Sequence, residues 1–303
     1  MRPLGLIFIF VTAVFLGGAL LAPWLHALVA SLAPYGAEFQ KMADQPFHRY
    51  VNRCVLLLTL AGLWPFLRGL GVRSWRDLGM VRPGGQWGRL GWGFMLGLGT
   101  LALVVAGGAF GGAWRISLDH PIQDWMTRLA TAALSAGGVA LMEELVFRGG
   151  IYGALRKSMP WVVAVVVSGA FFGLLHFFRR PPSPSEIEWS SGLVILGSML
   201  GGFTDWNALI PGFINITIVG MLLAWAYQRT GNLYFSIGLH AGLVFWLKLF
   251  GFVCTPEKTY NHAFWGTQTL TDGWFAVLAL MAAALVMCWR PKPAQAAVET
   301  KAQ

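Results

Sequence analysis

The chain has 303 residues, of which 56% are hydrophobic and 12% charged, with a mean hydropathy of +0.60. Soluble domains carry about 25% charged residues, so the composition excludes an ordinary soluble domain and places the chain in the membrane class. The formal charge of +9 does not point to nucleic acid, because the basic residues stand in short loops between apolar runs, where they set membrane topology.

Met1-Arg2 and the apolar run from Pro3 to Ala22 resemble a signal peptide. The run is long, however, and its flank, Pro23-Trp24-Leu25, is a poor cleavage site, so it is read as a retained first span. A membrane helix needs roughly 17–25 predominantly apolar residues. Eight stretches meet or approach this: 4–25, 51–68, 91–112, 128–150, 160–178, 208–228, 232–252 and 273–289. The glycine-rich end of the third, Gly107 to Gly112, reads as a helix end. A ninth apolar run, 191–204, is short and rich in glycine, which suits a re-entrant or interfacial segment. The expected fold is all-α, a polytopic transmembrane helical bundle of about eight spans.

The loops suggest an orientation. With both termini inside, the cytoplasmic face holds Arg73, Arg76, Arg82, Arg89, Arg156, Lys157, Arg229, Arg290 and Lys292. The other face collects most acids, Asp205 among them, together with Arg179-Arg180. The positive-inside bias is thus real but modest. There is no internal repeat, and 291–303 is a short polar tail. Cys54, Cys254 and Cys288 make neither a metal spacing nor a disulfide framework.

Charge inside a span costs roughly 2.5–3.5 kcal/mol on the insertion scale and marks function. The fourth span reads Ala140-Leu141-Met142-Glu143-Glu144-Leu145-Val146-Phe147-Arg148. Glu144 and Arg148 are spaced i, i+4 and can pair on one face, which gives Glu144 a structural role. Glu143 lies about 100° around the helix and needs a partner from elsewhere. His176 and His240, inside apolar runs of the fifth and seventh spans, are the candidates. If the fourth and fifth spans run unbroken to a turn at Ser158-Met159-Pro160, Glu143 and His176 lie at similar depth. Each of the three helices carries a Gly-x-x-x-Gly beside its polar residue: Gly149/Gly153, Gly169/Gly173 and Gly238/Gly242. Small residues at this spacing let helix backbones approach.

One glutamate and two histidines can hold a divalent metal such as zinc, whose bound water has a pKa of about 7. Alternatively, Glu143 acts as a general base on water while the histidines orient it or stabilise an oxyanion. Both routes lead to hydrolysis. The chain lacks His-Glu-x-x-His, Gly-x-Ser-x-Gly, a phosphate loop and Cys-x-x-Cys. A bland reading stands beside these: a lone intramembrane histidine is more often a hydrogen-bonded packing residue than a ligand.

Glu143-Glu144-x-x-x-Arg148-Gly149, then Phe172-x-x-x-His176, then the stretch Gly220 to Leu233 leading into His240, resembles the CPBP (Abi) family of intramembrane proteases, which includes the CAAX prenyl endopeptidase. The similar region is 125–250; 1–124 holds the N-terminal spans and 251–303 the last span and tail, all in one membrane domain. The resemblance implies an eight-helix fold and peptide-bond hydrolysis at a lipid-embedded site, on a peptide or membrane-protein substrate, without nucleic acid. It makes Glu143 the water activator, His176 and His240 further site residues, and Glu144, Arg148 and Phe172 supporting ones. Most members are bacterial, so a bacterial inner membrane is expected. One departure matters. The family's last motif continues from His to Asn four residues on, and here that place is Val244, which has no side-chain hydrogen bond to offer. Asn207 and Asn215 are the polar residues that could substitute in space. The alternative function is therefore a catalytically weak or inactive member that binds and regulates a membrane partner. A transporter or proton relay, which also buries Glu and His, is the third.

Overall fold

The computed structural model describes residues 3–178, 181–201 and 206–289. The expectations for Arg179-Arg180, Asp205, Arg290, Lys292 and the 291–303 tail concern residues outside these. In chain order the helices are α1 (Pro3–Leu32), α2 (Ala37–Ala43), α3 (His48–Gly69), α4 (Trp87–Phe110), α5 (Ile122–Glu144), α6 (Gly153–Arg156), α7 (Trp161–Leu174), α8 (Ser191–Met199), α9 (Trp206–Thr230), α10 (Tyr234–Val253), α11 (His262–Trp265) and α12 (Trp274–Trp289). A π-helical segment, Leu145–Tyr152, joins α5 to α6 without a break. Two short strands, β1 (Trp114–Ile116) and β2 (Cys254–Pro256), pair antiparallel.

Six stretches are long and apolar enough to cross a membrane: Pro3–Tyr35, His48–Gly69, Trp87–Phe110, Ile122–Arg156, Leu209–Thr230 and Tyr234–Val253. The shorter apolar helices α7 and α12 complete the eight spans. The protein is an all-α, multi-pass membrane protein. α8 has nine residues, about 14 Å of helix, against a hydrocarbon core of roughly 30 Å, so it does not span. α4 ends at Phe110, and Gly112 takes a left-handed φ of +73° just beyond, the helix end expected of that glycine run.

The chain divides into two compact units. One comprises Met1–Arg73 and Leu175–Trp206. Its core packs Ala22, Val29, Phe47, Tyr50, Val51 and Cys54 of α1, α3 and the turn before α3 with Ile195 and Met199 of α8. Glycine sets the close contacts: a Cβ at Gly18 would strike Val55, and one at Gly192 would strike the Ala19 carbonyl.

The other unit comprises Ser74–Leu174 and Asn207–Gln303. Its central seam joins α4 and α10, whose glycines interlock. A Cβ at Gly93 or Gly97 would strike the carbonyl of Phe235 or Leu239, and one at Gly238 or Gly242 that of Leu90 or Phe94. The numbers rise together, so α4 and α10 run parallel, and β1 and β2 clasp their C-terminal ends. Gly238/Gly242 thus packs helix on helix as expected, against a second Gly-x-x-x-Gly on α4. Gly169/Gly173 of α7 packs on Thr217, Met221 and Gly220 of α9. There the numbers run in opposition, so α7 and α9 are antiparallel and residues 175–205 leave and return at one face. The third pair differs: Gly149 meets Leu78 of the α3–α4 loop, while Gly153 has only an ordinary contact with the Arg148 carbonyl.

That loop is packed into the helices. Leu78 is fully buried, Gly79 accepts a hydrogen bond from the Leu233 amide (3.1 Å), and the Val81 carbonyl accepts one from the Tyr234 hydroxyl (2.8 Å). Gly79 has φ +82° and faces the Tyr227 ring, so a larger residue fails there on both counts.

Candidate active site

Glu144 is the last residue of α5, and Arg148 lies in the π segment that follows. A π turn holds more residues than an α turn and occurs mostly at functional sites. Here it contains Gly149-Gly150, both buried. Glu144 and Arg148 pair as their spacing predicts, Oε1 to Nη1 at 2.9 Å, with side chains 0% and 2% exposed. Arg148 also donates through Nη2 to the Gly220 carbonyl of α9 at 3.2 Å. Its guanidinium lies over the Phe172 ring, 4.4 Å from the centroid. Buried charge is tolerated only when paired and bonded in this manner.

His240 joins the same group. Its Nδ1 lies 2.9 Å from Glu144 Oε1, and its ring stands edge-on to Phe172 with centroids 5.8 Å apart. A carboxylate only accepts, so Nδ1 carries the proton and Nε2 presents a lone pair. Nε2 faces Glu143 Oε2 at 3.8 Å, too far for a direct hydrogen bond. Two acceptors that face each other need a proton donor between them. A water that gives one hydrogen to each satisfies both and leaves its oxygen beside a general base. Glu143 is the more open carboxylate, with 22% of its side chain exposed against none for Glu144.

The structure therefore brings Glu143, Glu144, Arg148, Phe172 and His240 together. It also gives Glu144 a second role that the i, i+4 pairing did not reveal: the carboxylate bridges Arg148 and His240. His176 is placed differently from the expectation that it sits within a span. α7 stops at Leu174, and His176 is exposed in the turn beyond. It belongs to the first unit, the other five to the second. The depth comparison between Glu143 and His176 does not hold as drawn, since the fourth span winds as a π helix before the turn and the fifth ends early.

Val244 packs with Phe245 against the apolar cluster of Ala136, Ala140, Leu233, Ile237 and Ala241. Asn215 is committed elsewhere: its Nδ2 donates to the Gly273 carbonyl just before α12, at 2.9 Å. The side chain of Asn207 lies outside the described residues. Glu143 and His240 offer one oxygen and one nitrogen to a cation. Among the described residues, no group of three His, Cys, Asp or Glu is placed to hold a metal. The residues present do not make the three-ligand zinc set, and no step is routed through a metal below.

Residues 124–246 match the model of the Rce1-like family, described as type II CAAX prenyl endopeptidase Rce1-like. The match covers the segment whose motifs resemble the CPBP proteases and includes all six candidate residues. No curated protein and no solved structure matches the chain.

Proposed function

From the Rce1-like domain at residues 124–246, we propose that the protein is an intramembrane endopeptidase, similar to the CAAX proteases, in which Glu143 activates the attacking water. The observation that carries this reading is the Glu143 Oε2–His240 Nε2 pair at 3.8 Å, with the far nitrogen of His240 held by buried Glu144. Water between them loses a proton to Glu143 as its oxygen adds to the peptide carbonyl carbon. Glu143 then returns that proton to the amine nitrogen as the C–N bond breaks. His240, fixed in one tautomer by Glu144, orients the water. Arg148 neutralises Glu144, so the negative charge available to take the proton is that of Glu143. His176 is assigned as a further site residue on the strength of the motif.

The proposed substrates are membrane-associated peptides of the CAAX type, and the proposed location is a bacterial inner membrane. The test uses purified wild-type and Glu143→Gln protein with a farnesylated CAAX-type peptide and its unprenylated counterpart. Cleavage by the wild type and none by Glu143→Gln is expected. Equal cleavage by both would remove Glu143 from the chemistry.

A second reading is favoured by Val244 alone: a non-catalytic member that binds and regulates a membrane partner. An apolar side chain built into the α5–α10 cluster occupies the place where the family carries an amide, and loss of an oxyanion donor lowers rates by roughly 10²–10³-fold. This reading expects no cleavage by the wild type and recovery of a bound partner that Glu143→Gln still retains.

A further inference from the structure

Threonines within membrane helices usually return their hydroxyl to the carbonyl one turn back, since lipid offers no other partner. Five threonines of this chain do so: Thr59 to Val55, Thr100 to Leu96, Thr127 to Gln123, Thr131 to Thr127 and Thr230 to Ala226, at 2.7–2.9 Å. Thr217, in the middle of α9, does not. Its Oγ1 is sealed from solvent and has no hydrogen-bond partner among the described residues. It is turned towards α7, where the position a Cβ would take on Gly173 lies only 2.6 Å away.

The seam in which this hydroxyl lies borders the site. Gly220, one turn along α9 from Thr217, accepts the Arg148 bond and packs on Gly169 and Phe172. Phe172 precedes Gly173 and stands against the His240 ring. α7 is also the shortest span, 14 residues, about 21 Å of helix against a hydrocarbon core of roughly 30 Å. No strand pair ties it to α9 in the way that β1 and β2 tie α4 to α10.

A peptide must be unwound to be hydrolysed, and unwound backbone in lipid has N–H and C=O groups that need partners. A hydroxyl can serve either, as donor or acceptor. We propose that Thr217 is a substrate-binding residue: as α7 parts from α9, its hydroxyl bonds the backbone of an extended peptide entering beside Glu143 and His240. This rests on the endopeptidase reading.

The test compares Thr217→Val, of the same shape without the hydroxyl, with Thr217→Ser, which keeps it. The probes are the farnesylated CAAX-type peptide and its unprenylated counterpart, with Glu143→Gln as control and Tm measured in detergent. Thr217→Val is expected to raise KM about 3–10-fold, as loss of one neutral hydrogen bond does, with kcat within about twofold. Its Tm should equal or exceed that of the wild type, because a polar group without a partner is removed. Thr217→Ser should keep the wild-type KM. An unchanged KM in Thr217→Val while Glu143→Gln is inactive overturns the proposal and leaves the endopeptidase reading intact. A Tm several degrees lower in Thr217→Val, restored in Thr217→Ser, assigns the hydroxyl a structural bond and overturns it too. Wild-type protein inert on both peptides sinks the endopeptidase reading, and this proposal with it.

Discussion

His240 and His176 both follow a run of apolar residues and glycine, and their settings are opposite. His240 lies in α10, whose two glycines interlock with two on α4, and it is 4% exposed with its ring bonded to Glu144. His176 lies two residues past the end of α7, in a turn, and is exposed. A histidine in the first setting serves the fold and the chemistry together, and removing it injures both. A histidine in the second can be essential to a reaction while contributing little to stability. Similar local sequence therefore says little about what a residue costs the fold. The helix it rides on, and where that helix stops, decides.

The largest effect is expected at the seam itself. Gly238→Val drives a branched side chain into the Leu90 carbonyl and should leave little folded protein in a thermal or size-exclusion assay. Gly137→Ala, where nothing lies within 4 Å, should be silent. Comparable tolerance of both would break the claim that α10 is locked by glycine. Next, His240→Ala and His176→Ala should each reduce cleavage by about 10²-fold or more, but only His240→Ala should lower Tm. An equal loss of Tm in His176→Ala would erase the contrast between the two histidines.

Arg148→Met comes third. It leaves Glu144 buried without its cation and should cost about 3–5 kcal/mol in denaturant unfolding. A change under about 1 kcal/mol would mean that His240 alone can hold the carboxylate. The smallest effect concerns thiols. Burial pushes the Cys254 thiol of β2 up to about 11, whereas Cys288 is exposed near the end of α12. Since the thiolate is the reactive form, an alkylating agent at pH 8 should modify Cys288 and spare Cys254. Labelling of Cys254 should grow only as the pH rises towards 11. Prompt labelling at pH 8 would show that the β1–β2 clasp opens readily.

Much of this arrangement was legible in the residues. Eight apolar runs became six long spans and two short ones, because hydropathy over a span is a sum that local detail hardly disturbs. The Glu144–Arg148 pair followed from spacing alone, which α and π winding both honour at four residues. Three features were not legible. The π segment depends on how Gly149-Gly150 packs, and glycine alone does not announce it. The bond from His240 to Glu144, rather than to Glu143 alone, depends on the rotation of α10, which is set by partners on α4 far away in sequence. The early end of α7 breaks an apolar run that continues to Phe178, so nothing in composition marks it. Thr217 was missed for a related reason. What distinguishes it is a hydrogen bond it does not make.

The parallel α4–α10 pairing has a consequence for how the protein is made. α4 begins at Trp87 and α10 at Tyr234, so the first waits in the bilayer with its glycine groove empty while three further spans are threaded. His240 arrives with the second. On the proposed reading, Glu143 has no histidine from α10 beside it during most of synthesis. The nascent chain is a disarmed protease, and translation of its penultimate span arms it.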